Sequence, residues 1–175
     1  MRELAASLAR VLAPISRTAL WVSGLGMLVM TFIVAWQIFG RYVLNDSPSW
    51  TEPAALLLMS WFILLGSAVG VRDSSHMGFE IGLVLAPPKL KIVLVQITNV
   101  LILLFGLFMA YYGYELTVET WAAKMPGIML PQGVDYMPLA GGGLLIALFA
   151  FEKIVGVIAD PEATVAAIIA PKAEL

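Results

Sequence analysis

The sequence predicts an all-α integral membrane protein: four transmembrane helices, with an interfacial amphipathic helix between spans 2 and 3. Three observations predict it. First, 61% of the 175 residues are hydrophobic and only 13% are charged, against roughly 25% charged in a soluble domain; mean hydropathy is +0.93. Second, four stretches lack any charge: 23 residues between Arg17 and Arg41, 19 between Glu52 and Arg72, 23 between Lys91 and Glu115, and 16 between Asp135 and Glu152. Crossing about 30 Å of hydrocarbon takes roughly 20 residues at 1.5 Å each. Third, Lys and Arg alternate in density from one connection to the next, as the positive-inside rule requires of a multi-pass chain.

The first span, about 18–40, exceeds a signal-peptide core and no small-residue cleavage site follows it, so it is read as retained. A turn at Asn45–Pro48 leads into the second span, about 53–71. There Thr51 is placed to cap the helix, with Glu52 in its first turn against the positive helix end and Pro53 tolerated beside it. Between Arg72 and Pro88, Met77, Ile81, Val84 and Leu85 share one helical face, while Arg72, Asp73, His76 and Glu80 gather on another. Alternation of Met77, Phe79, Ile81, Leu83 and Leu85 fits a strand equally well. A lone strand at a membrane surface leaves its backbone unpaired, which favours an interfacial helix over about 73–86, ended by Pro87-Pro88. The third span covers about 92–114. The fourth, about 136–152, is short, and Lys153 can snorkel from it to the interface. Residues 1–159 are thus read as one membrane domain and 160–175 as a cytoplasmic tail.

Arg2, Arg10, Arg17, Arg72, Lys89, Lys91, Lys153 and Lys172 lie on one side, and only Arg41 and Lys124 on the other. This places both termini in the cytoplasm. Trp21, Trp36, Trp50, Trp121 and the Tyr111, Tyr112, Tyr114 cluster sit near span ends, where interface anchors belong.

The chain has no cysteine and one histidine, His76. That excludes disulfides, thiolate metal sites and a bis-histidine haem; no catalytic residue, metal or cofactor is expected. Charged residues fall at span ends or in loops, and polar groups within spans (Thr31, Gln37, Ser60, Ser67, Gln96, Thr98, Asn99) are mild. No titratable carboxylate is therefore available in mid-span for a proton-coupled exporter, and no pair of broken spans suggests an alternating-access site. The chain reads as an accessory subunit and not an enzyme.

Several residues stand out as structural or partner contacts. Arg41 and Glu52 lie at one membrane face and are candidates for an ion pair, or else for separate snorkelling. Gly66-Ser67-Ala68-Val69-Gly70 is a GxxxG that supports close helix packing, and Trp61, Ser67 and Gly70 are expected in protein contact. Arg72, His76 and Glu80 form an i, i+4, i+8 stripe, either a solvated face or a docking stripe for a partner or lipid headgroups. Gly141-Gly142-Gly143 would admit another backbone closely.

In order and spacing, these features resemble the small membrane subunit of tripartite ATP-independent periplasmic (TRAP) transporters. The residues carrying the resemblance are Arg41-Tyr42, Pro48, Trp50 and Glu52, Trp61, Gly66-Ser67-Ala68, Arg72 through His76, and Leu85-Ala86-Pro87-Pro88, with Pro131, Tyr136 and Pro138 before the fourth span. It covers roughly residues 18–155. Pro53 departs from it, standing where the family commonly has a second acidic residue. The resemblance implies a sodium-driven uptake system in the bacterial inner membrane. There a large multi-span subunit carries the substrate and sodium sites, and a periplasmic binding protein delivers a small organic carboxylate of the C4-dicarboxylate or sialic acid type. The small subunit scaffolds and anchors the large one amid membrane lipid, without a substrate site; no nucleic-acid partner is implied. The alternatives are an accessory or assembly subunit of another membrane complex, or a small homo-oligomeric transporter.

Overall fold

A computed structural model describes residues 2–46, 48–73, 87–161 and 163. They form an all-α bundle with no strand among them. We number its four long helices α1 (Arg2–Phe39), α2 (Thr51–Arg72), α3 (Pro88–Glu119) and α4 (Met137–Ala159). All four are long and apolar enough to cross a membrane. The expected interfacial helix, with His76 and Glu80, lies outside the described residues beyond Asp73, as does most of the tail.

α1 starts well before the first charge-free stretch. It runs through Pro14, where the Thr18 hydroxyl donates to the Pro14 and Ile15 carbonyls at 3.0 and 2.9 Å. Its far end widens into a π turn over Gly40–Leu44 and closes with Asn45 in the left-handed region at φ 57°, the Asp46 N–H returning to the Gly40 carbonyl at 3.1 Å. Gly40 is required here. A Cβ would come within 2.8 Å of the Asp46 carbonyl oxygen and 3.3 Å of Pro48 Cδ.

Thr51 does not cap α2 as its sequence position suggests. It is the helix's first residue, fully buried, and its hydroxyl donates backwards to the Pro48 carbonyl at 2.8 Å. That bond stitches the turn to the helix. The connection between α3 and α4 closes over the same region. Met125 N–H donates to Leu130 O at 2.8 Å and Gln132 N–H to Ala123 O at 2.8 Å, while Gly127, at φ 89°, lies against the Ser49 carbonyl. A 3-10 turn (Gln132–Asp135) then leads into α4, whose second residue, Pro138, is tolerated because the first turn needs no donor there.

α4 is the organising helix. It packs along α3 on one side and α2 on the other, and touches α1 less extensively; α1 pairs with α2. The core is Leu12 of α1, Ala68 and Val71 of α2, and Ile146 and Phe149 of α4, with Ala19, Leu65 and Val69 forming a second cluster. Each glycine of the 141–143 run meets its own neighbour. Cβ atoms there would meet the Trp61 indole at 3.7 Å, Leu64 Cβ at 2.7 Å and the Ala110 backbone nitrogen at 2.6 Å respectively.

Candidate functional site

α2 ends at Arg72 because Asp73 turns out of the helix, its N–H closing on the Val69 carbonyl at 2.8 Å. Ending there leaves the Arg72 side chain at the end of the bundle that holds the α1 N-terminus, and it turns toward α1 and α4. Its Nε donates to Glu152 Oε2 at 3.0 Å and its Nη2 to Glu152 Oε1 at 3.1 Å, a two-toothed pair. Nη2 also donates to the Ala9 carbonyl of α1 at 3.3 Å. The guanidinium carbon lies 5.8 Å from the centre of the Phe149 ring. The two charged side chains are 20% and 14% exposed. One guanidinium thus ties α1, α2 and α4, each charge answered by its partner. The planar fork of Arg matches a carboxylate as Lys would not. The pair lines a cleft of 420 Å³ with Ala5, Ala6 and Ala9 of α1 and Gly156 of α4.

The sequence reading missed Glu152. It ended the fourth span there, whereas α4 continues to Ala159 and brings the carboxylate seven residues inside the helix. The signal that was available is that α2 and α4, the second and fourth spans, run in the same direction and carry opposite charges near their C-terminal ends.

The other singled-out residues divide. Arg72 pairs with Glu152, and His76 and Glu80, the rest of its expected stripe, lie outside the described residues. Trp61 is half-buried against Gly141 and the Ala19–Leu65–Val69 cluster, so its contact is within the chain. Gly66 faces α1, where the Ser23 hydroxyl donates to the Phe62 carbonyl at 2.7 Å and a Cβ on Gly66 would sit 3.2 Å from Ser23 Oγ. Ser67 is exposed, and a Cβ at Gly70 would meet nothing within 4 Å. Arg41 and Glu52 are not joined: Arg72 pairs with Glu152, and Arg2, exposed, with Asp160 at 3.1 Å, while neither Arg41 nor Glu52 has an ion-pair partner among the described residues. Arg41 sits in the π turn and both side chains are exposed, where a pair would gain little. Instead Glu52 lines a cleft of 360 Å³ at the opposite end from Arg72, with Ser49, Met125, Gln132 and Asp135. Trp50 is 44% exposed beside it. Among the described residues no group of three or more His, Cys, Asp or Glu is placed to hold a metal ion.

Comparison with known proteins bears on what this bundle serves. The family model for the DctQ component of tripartite ATP-independent periplasmic transporters matches residues 30–160. The sialic acid TRAP transporter small permease protein of Vibrio cholerae is 25% identical over 128 residues, covering 73% of this chain and 74% of that protein. The C4-dicarboxylate TRAP transporter small permease protein of the same organism is 27% identical over 62 residues, covering 35% of this chain and 27% of that protein. A protein of Haemophilus influenzae described as a TRAP transporter small permease is 23% identical over 133 residues, covering 74% of this chain and 81% of its own length.

Proposed function

Because this chain belongs to the family of DctQ components of tripartite ATP-independent periplasmic transporters, we propose that it scaffolds and anchors a large transport subunit and carries no substrate site itself. It is a multi-pass membrane protein and not an enzyme. The complex it serves is a sodium-coupled importer in the bacterial inner membrane, fed by a periplasmic binding protein. Its substrate is a small organic carboxylate, the class to which the sialic acid and C4-dicarboxylate named for two relatives belong. Both termini are cytoplasmic, which the distribution of Lys and Arg supports.

The observation that carries the scaffold reading is the inner ion pair. Arg72 and Glu152 spend their charges on each other and on the Ala9 carbonyl. The polar groups at this end thus hold three helices in fixed relation, as suits a static support. Reconstitution tests it. Vesicles holding this chain with the large subunit and the binding protein should take up the carboxylate down a sodium gradient. Vesicles holding this chain alone should not. Uptake by the chain alone, or undiminished uptake without it, would sink the scaffold reading.

A further inference from the structure

Helix glycines in this bundle almost all have a neighbour from their own chain. Cβ atoms at Gly26, Gly66, Gly106, Gly113, Gly141, Gly142 and Gly143 would all meet another helix. Gly24 of α1 and Gly70 of α2 would meet nothing within 4 Å. A glycine facing lipid weakens its helix and gains no packing, whereas one facing another helix lets the two backbones close together.

The two glycines lie on one side of the α1–α2 pair. The seam is fixed by Ser23 and Gly26 against Phe62 and Gly66. A step of one residue turns a helix by about 100°, and in an antiparallel pair that step carries both helices to the same side. From the seam it leads to Gly24 and Met27 on α1, and to Ile63 and Ser67 on α2. Leu20 and Gly70 continue these two rows. Leu20, Met27 and Ile63 are 55%, 56% and 43% exposed. The rows end in charge. Arg17 stands one step past buried Ser16, with Arg10 two turns further inward, and Glu52 stands one step past buried Thr51.

We propose that this α1–α2 face receives one transmembrane helix of the companion membrane subunit. That helix carries small residues where it crosses Gly24 and Gly70, and a carboxylate at its cytoplasmic end for Arg10 or Arg17. The charges argue against a second copy of this chain. A two-fold axis along the membrane normal would set Arg17 against Arg17 and Glu52 against Glu52, and like charges across an interface are a penalty. The proposal rests on the subunit reading above and adds the surface and the occupant.

Photo-crosslinking in the co-expressed complex tests it. A benzophenone amino acid at Leu20 or Ile63 should capture the large subunit, and the same group at Leu148, on the exposed side of α4, should not. Gly24→Leu with Gly70→Leu should lower recovery of the large subunit on a tag at least ten-fold. The variant's Tm in detergent should not fall, since a Cβ at either position meets nothing of its own chain within 4 Å and leucine favours a helix over glycine. Capture from Leu148 alone, capture of a second copy or of lipid only, or full recovery with the double variant overturns this surface. If the unaltered tagged chain recovers no large subunit at all, the functional reading fails with it.

Discussion

Where α2 ends, Arg72 and Glu152 satisfy each other in a place that solvent reaches only in part. Removing one leaves the other buried and unanswered, which costs about 3–5 kcal/mol; replacing both by apolar residues of similar volume is often close to neutral. Glu152→Gln or Arg72→Met should therefore lower the unfolding midpoint in detergent sharply, while Arg72→Met with Glu152→Leu restores most of it. Simple additivity of the two single changes in a double-mutant cycle would mean the pair is not coupled. The pairing was half legible. Each residue is conspicuous in the sequence, but the 80 residues between them hide that α2 and α4 are neighbours. Thr51 is a smaller case of the same kind. Its type and place suggest a cap, yet Trp50 already occupies that position and the hydroxyl turns back to Pro48.

The α3–α4 seam depends on backbone contact. A Cβ on Gly113 would come within 2.5 Å of the Ala140 nitrogen, and one on Gly106 within 2.7 Å of the Ala147 nitrogen. Neither neighbour is the yielding end of a side chain, so Gly113→Val or Gly106→Val should force the two helices apart. The expected outcome is loss of monodisperse protein on size-exclusion chromatography. Gly24→Ala is the matched control, expected to be neutral or stabilising by up to about 1 kcal/mol from helix propensity. Sequence alone locates the spans, because hydropathy depends on composition. It does not rank the glycines, because the importance of each lies in what opposes it: Gly113 and Gly70 look alike until Ala140 appears beside one and nothing beside the other. The long lead of α1 was also illegible. Arg10 and Arg17 end a hydropathy window without ending a helix.

Over the whole molecule, four helices and two interlocked loops at one end make a body with two unlike ends, and the Lys and Arg distribution predicts which of them faces the cytoplasm. Alkaline phosphatase fused after Lys172 should be inactive, and the same enzyme inserted near Pro126 active, since it folds only outside the cytoplasm. The opposite pattern would invert the orientation and move the Arg72–Glu152 pair to the outer face. With the pair inside, its proximity has an electrical consequence. The positive and negative groups lie 3.0 Å apart, so as the membrane charges and discharges the forces on them nearly cancel. A lone charge crossing the field would feel about 2.3 kcal/mol per 100 mV. This pair can therefore stand in a voltage-driven membrane without being pulled by it.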